Sequence, residues 1–305
     1  MTKMKPSRNR CISVAIGLGL YLLGSGGCQG STDGMADQSA SMRDTNGLSS
    51  NGLSSNGLST NGLSSNGLSS NGLSSTGFND WFDSNPISVS DMIMKYIVRC
   101  AVPAGEIRSY ISVAGLSHTW EGELGLAPGW ASGEPATSEE EQIVSACLAA
   151  HVNRFGVSVP ISVIGFDARG GQIPMGETEL TDFPISEGCF FGNLFRGEGI
   201  YVGSDSVFPA GYSSSRDCAI ADPETRQNNS CPPMIFVGAC SEHCVMDSSL
   251  FAYRSCSYNG KDYAAIGTRI SPDIMYRCGD QVCQVSEHCG TGNTPNNCSD
   301  CGPCQ

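Results

Sequence analysis

Lysine is nearly missing from this 305-residue chain: after Lys3 and Lys5 only Lys95 and Lys261 remain, so Schiff-base and lysine general-base chemistry have almost nothing to work with. Histidine is as scarce, with four residues. Beyond the first 28 residues there is no Gly-x-Ser-x-Gly elbow, His-Glu-x-x-His helix, phosphate-binding loop, EF-hand loop or Ser-x-x-Lys motif. No reaction follows from a linear pattern, and no cofactor is expected. Positive charge is also lacking: 17 basic residues stand against 30 acidic ones, and no basic cluster offsets the imbalance. Such a surface repels nucleic acid and anionic headgroups, so a nucleic-acid partner is excluded. After Ile12–Leu23, no stretch is long and apolar enough to form a transmembrane helix.

What is present begins with an export pattern. Lys3, Lys5, Arg8 and Arg10 form a basic region, Ile12–Leu23 an apolar one, and Gly24-Ser25-Gly26-Gly27 leads up to Cys28. The junction resembles a bacterial lipoprotein signal, in which the cysteine after the cut is acylated; Ser25 stands where that motif prefers Leu. The resemblance implies a signal over 1–27, a lipid on Cys28 and a membrane held through that anchor, with the chain exported to the bacterial cell envelope, at the outer membrane or cell surface. Removing 1–27 leaves 13 basic residues against 30 acidic ones, a net charge of −17. Of 16 cysteines, Cys11 leaves with the signal; lipidation of Cys28 then leaves 14 for pairing.

Residues 28–77 read as a flexible tether. Within it, Asn-Gly-Leu-Ser-Ser is spoken six times over residues 46–75, with Thr60 the only deviation. A period of five matches neither helix nor strand, and one Leu in five is too little apolar surface to offset ordering entropy. From residue 29 to about residue 78 the root-mean-square span is about 40 Å. The rival is a right-handed pentapeptide β-helix with Leu48, Leu53, Leu58, Leu63, Leu68 and Leu73 stacked inside, which thirty residues make too short to bury a continuous core.

Residues 78–277 read as a disulfide-stapled α+β domain with two early helices and several short strands. Ser90 is placed to cap a first helix carrying Met92, Ile93, Tyr96, Ile97 and Cys100, stopped by Pro103 and Gly105. Ile107, Ser109, Ile111 and Val113 share one side of a strand; Trp120–Leu126 makes a second, and the Ala127–Trp130 turn closes the hairpin. Thr137/Glu140 and Ser138/Glu141 both have capping-box spacing for a second helix, reaching about Phe155 with Gly156 as punctuation. Val157–Val163 alternates as a strand in which Pro160 argues for an edge or a bulge. Shorter strands are expected at Cys189–Phe195, Gly199–Val202, Met234–Val237 and Tyr263–Ile270. Cys100, Cys147, Cys189, Cys218, Cys231, Cys240, Cys244 and Cys256 supply bridges here, with Cys100–Cys147 favoured because each sits on a predicted helix.

Residues 278–305 read as a small cysteine-rich module. Six cysteines (Cys278, Cys283, Cys289, Cys298, Cys301, Cys304) in 27 residues leave no room for an apolar core, so three disulfides hold it, with zinc on the Cys-x2-Cys-x2-Cys run as the rival. The stretch resembles the Cys-Gly-Asp-Gly-x-Cys … Asp-Cys-Gly modules of secreted bacterial proteins, with Gln281 replacing Gly. The whole layout resembles cysteine-rich surface lipoproteins of the myxobacterial kind with Asn-Gly-Leu repeats, a group with no assigned chemistry to carry over.

Two chemical constellations remain. Cys147 and His151 lie four residues apart on one helix face and, if the thiol were reduced, would make a nucleophile–base pair or bind metal; a disulfide with His151 as neighbour is the plainer reading. Asp280, Glu287 and Asp300 could hold calcium together with carbonyls, with loop solvation the plainer reading. His118 beside Trp120 reads as a surface or interface residue, and His243 and His288 each precede a cysteine in loops. The expected function is a membrane-anchored surface lipoprotein with a binding or structural role toward an envelope ligand; the alternative is a secreted enzyme, such as a hydrolase, whose site forms no linear motif.

Overall fold

The computed structural model describes residues 43–46, 48–49, 81–83, 86–153, 159–205 and 234–271, and in the C-terminal module 278, 283, 287–294 and 297–304. The expected signal over residues 1–27, Cys28, Cys218, Cys231, Asp280, Phe155 and Gly156 lie outside the described residues. All described elements belong to one compact unit, Gln38–Gln305, and its class is α+β. Among the described residues no helix is long and apolar enough to cross a membrane.

Helix α1 (Ile87–Ala101) starts one turn before Ser90. Pro86 occupies the N-cap without a side-chain bond, and its carbonyl accepts from Val89 and Ser90. Ser90 instead turns its hydroxyl to the Phe82 carbonyl at 3.0 Å, tying the incoming Trp81–Phe82 segment to the helix. The hairpin that follows pairs β3 (Ile107–Ile111) with β4 (Ser117–Glu121), turning at Ser112–Leu116. Gly115, at φ +76°, supplies the left-handed residue that this turn needs. The second strand thus begins earlier than Trp120, and Ala127–Trp130 does not close it: Pro128–Ala131 is a short helix, α2. Its N-terminal amides, Gly129 and Trp130, donate to the Glu140 carboxylate, a long-range cap invisible locally.

Helix α3 (Ser138–Ala150) shows which capping box wins. Thr137 Oγ1 accepts from Glu140 N and Glu140 returns to Thr137 N. Glu141, the other contender, is buried and takes Asn193 and Arg196 instead. The helix stops at Ala150, sooner than Phe155, because Val152–Asn153 becomes a strand, β5.

The centre is a six-stranded sheet. Besides β1 (Arg43–Asn46), it contains β6 (Val159–Gly165), β7 (Ile185–Asn193), β8 (Gly199–Ser204), β9 (Met234–Ala239) and β13 (Ala265–Ile270), in the order β1-β6-β13-β7-β8-β9. Only β8–β9 is parallel. Strand β6 is interior rather than an edge. Pro160 is tolerated because β13 reaches only as far as Ser162, so at Pro160 the ladder runs on one side alone.

One face of the sheet packs under α1 and α3, around Ile97, Trp130, Val144, Phe190 and Ile266. The other face is covered by a second sheet of β10 (Cys244–Asp247), β11 (Ala252–Tyr258) and β12 (Lys261–Tyr263), around Phe191, Tyr201, Tyr253 and Tyr263. The disulfides staple these layers. Cys100–Cys147 joins α1 to α3, Cys189–Cys240 ties β7 to helix α4 (Cys240–His243), and Cys244–Cys256 locks the β10–β11 hairpin. Gly203 lies against the second of these: a Cβ there would stand 2.7 Å from Cys189 Sγ and 2.9 Å from Cys240 Sγ. In the C-terminal module Cys278–Cys298, Cys283–Cys301 and Cys289–Cys304 pair among themselves.

Part of the expected tether is strand. Asn46, which opens the first repeat, ends β1 against Val159, and Leu48–Ser49 (β2) pairs in parallel with β5. Main-chain pairing needs no amphipathic period, which is why a period of five did not announce it. Apart from residues 43–46 and 48–49, the 28–77 stretch lies outside the described residues.

Candidate functional site

The β3–β4 hairpin carries the most distinctive surface. Ile107, Ser109 and Ile111 share a side, as their spacing requires, but that side faces solvent. The opposite side is the buried one. Tyr110, His118 and Trp120 converge on the Phe82 ring, at centroid distances of 4.9, 4.8 and 5.7 Å. Polar contacts then fasten this inner face. Asp91 of α1 accepts from Trp120 Nε1 at 3.0 Å and faces His118 Nδ1 at 2.8 Å. Asp83 accepts from the Tyr110 hydroxyl and from Val113 N. Three aromatic rings with polar handles outbid two isoleucines for the inward position, since they bury more area and find partners.

Left outside are Ile107, Ile111, Val113 and Leu116, at 57, 70, 85 and 52 % exposure. Between them stand uncharged Ser109, Ser117 and Thr119, with Glu106 and Glu121 at the rim. Single exposed apolar residues mean little, but Ile107 and Ile111 on the outer face, with Val113 and Leu116 in the turn at its tip, leave four on one hairpin, of the sort that marks a binding surface.

The sites with catalytic potential close up. His118, expected at the surface, is on the inner face, and its Nε2, the nitrogen that would meet a substrate, is enclosed by protein. Cys147 is disulfide-bonded to Cys100, and both sulfurs are fully buried. His151, equally buried, brings Nδ1 to within 3.6 Å of Cys147 Sγ and 2.7 Å of the Cys147 carbonyl oxygen. With sulfur already oxidised there is no thiolate to act as nucleophile, and the ring is used to finish α3. Glu287 and Asp300 come together between the Cys278–Cys298 and Cys283–Cys301 bridges, with Glu287 buried.

The buried carboxylates serve packing. Glu141 holds Arg196 Nε at 2.6 Å, which raises the guanidinium pKa further through that hydrogen bond and its charge. Glu187 sits where the β7–β13 register shifts, and accepts from Thr268 Oγ1 at 2.5 Å. A groove of about 200 Å³ lies between Glu139, Ile143, Phe166, Asp167 and Arg254. Arg254 stacks over Phe166 and pairs with Asp247 at 2.6 Å, so its cation is already answered; the groove contains neither histidine nor cysteine. Asp247 is correspondingly held below the usual carboxylate range, first by the Ser249 hydroxyl and then by Arg254.

Sequence reasoning missed Asp83 and Asp91. The i, i+2 spacing of His118 and Trp120 signals that both share a face, but nothing local says that two aspartates wait beneath it. A GLTT repeat family model matches six copies over residues 45–78. Comparison with curated proteins and with solved structures found no match for the chain.

Proposed function

We propose that this chain is exported, anchored at the bacterial cell envelope through lipid on Cys28, and works by binding a partner protein on the outer face of the β3–β4 hairpin. The exposure of Ile107, Ile111, Val113 and Leu116 on a hairpin anchored from beneath by Asp83 and Asp91 carries the reading, because clustered apolar side chains left in water are the mark of a binding surface. Cut before Cys28 the chain carries a net charge of −17, and Glu121 stands at the edge of the patch, so the complementary partner presents an apolar surface rimmed by basic groups. Anionic lipid would be repelled. Six disulfides among the described cysteines support an oxidising compartment, as the lipoprotein-like signal does.

The test is an Ile111→Asp/Val113→Asp variant of the full chain. Both positions are exposed, so its melting temperature should match wild type. In mild-detergent extracts wild type should elute within a larger assembly and the variant outside it; co-elution of the two would overturn the reading. The rival reading, a secreted hydrolase, rests on the Asp91–His118 pair. It needs Nε2 open to substrate, and Nε2 is enclosed.

A further inference from the structure

Two of the disulfides touch. The sulfurs of Cys189, Cys244 and Cys256 lie within 4.8 Å of one another, so Cys189–Cys240 and Cys244–Cys256 meet in the layer between the two sheets. The fourth sulfur belongs to Cys240, one helical turn before Cys244: α4 fills the interval, and the Cys244 amide donates to the Cys240 carbonyl. Burial grades the four. Cys189, Cys240 and Cys256 are fully buried, whereas Cys244 is partly exposed on β10, an edge strand of the second sheet. Among the described cysteines between residues 87 and 271, Cys244 alone is not fully buried.

We infer that these two bridges are one exchange-coupled unit, entered at Cys244 by a small thiol, and that exchange carries the pairing to Cys189–Cys256 and Cys240–Cys244. The thiolate of the small thiol attacks Cys244 Sγ, and the electron pair of the broken bond leaves on Cys256; a mixed disulfide remains on Cys244. The Cys256 thiolate has Cys189 Sγ beside it. Its attack there forms Cys189–Cys256 and expels Cys240 as the thiolate. Cys240 then attacks Cys244 Sγ one turn away, closes Cys240–Cys244 and returns the small thiolate. Two disulfides are present before and after, so no oxidant or reductant is consumed and the thiol is a catalyst. Access and the choice of attacked sulfur govern such exchange, and here burial sets both.

The swap moves a staple. Before it, one bridge ties β7 to α4 and the other closes the β10–β11 hairpin. After it, Cys189–Cys256 joins β7 of the main sheet directly to β11 of the second, and the α4 turn is closed on itself. Strand β9 runs into α4 at Ala239–Cys240, so this outer strand loses its covalent tie to β7. Thiol outside the chain thereby controls how firmly that edge of the sheet is held. This inference does not depend on the hairpin face.

The test incubates the oxidised full chain with reduced glutathione, quenches with acid and maps linked peptides without reduction. Cleavage after Glu242 separates Cys240 from Cys244. Peptides joined through Cys189–Cys256, and through Cys240–Cys244 across that cut, should appear with glutathione and be absent without it. Cys100–Cys147, whose cluster holds His151 and no third described sulfur, should stay as it is. Glutathione caught on Cys244 with Cys189–Cys240 intact would overturn the inference, as would original pairs that never change. A Cys244→Ser variant gives a second measurement, since it leaves Cys256 as a thiol without any added reagent. Alkylation of that variant should label Cys240 as well as Cys256, and label confined to Cys256 would overturn the inference. If the variant does not fold, the wild-type map decides alone.

Discussion

Replacing both Cys100 and Cys147 with alanine should be among the most damaging changes the domain can receive without touching its surface. The two cysteines are 47 residues apart, and releasing a cross-link of that span returns loop entropy to the unfolded chain worth about 4 kcal/mol. Both sulfurs are fully buried where α1 meets α3, so a small cavity adds roughly 1 kcal/mol. The His151 bond to the main-chain oxygen of residue 147 survives the change, so the end of α3 is not lost as well. For a domain of this size the sum lowers the melting temperature by roughly 10–15 °C. Circular dichroism melts of wild type and variant, both oxidised, read it directly. A drop below about 3 °C would refute the reasoning, since it would mean that the cross-link is absent or that the loop is constrained without it.

Three further outcomes follow from the same packing. Graded reductant should open the C-terminal module first, because Cys283, Cys289 and Cys304 are exposed whereas Cys100, Cys147, Cys189 and Cys240 are buried; thiol mapping of partly reduced protein that finds Cys100 or Cys147 free first would contradict this. Gly203→Ala should cost about 1–3 kcal/mol in urea unfolding, since its methyl group must displace the Cys189–Cys240 sulfurs, and a neutral result would mean that the bridge shifts freely. Burial, and then the Tyr201 and Glu198 charges, push the Tyr263 hydroxyl up to about 12, and burial with the Asp205 hydrogen bond raises that of Tyr253. Both phenols ionise sooner in the unfolded chain, near pH 10, so their contribution is complete below that pH and is lost as pH rises toward the folded values. Absorbance at the phenolate band should therefore show these two titrating together with unfolding rather than before it.

The helix α3 was legible because its signals are local: a threonine, a glutamate three residues on, and an apolar run. Strands β7, β8, β9 and β13 were legible, within a few residues, from short apolar runs between turn residues. The Cys100–Cys147 bridge followed from two predicted helices that each carried a cysteine. The rest depended on long-range competition. Alternation showed that Ile107 and Ile111 share a side, but which side was decided by Phe82, Asp83 and Asp91 beneath Tyr110, His118 and Trp120. Strands β10, β11 and β12 went unread because Cys244–Tyr263 is rich in Ser, Tyr and charge, and their burial comes from packing on the main sheet. The apolar face itself was visible as a pattern, but its meaning was inverted.

The most direct measurement is site-specific photo-crosslinking in intact cells that display the chain. A photoreactive residue placed at Ile111 or Val113, on the hairpin's outer face, should trap one discrete envelope protein. The same probe at Asp262, exposed on β12, should not trap it. The purified partner should then bind wild type and lose affinity at least about tenfold for the Ile111→Asp/Val113→Asp variant. No adduct at 111 and 113, or the same adducts from all three positions, would contradict the claim that this face is where the protein acts.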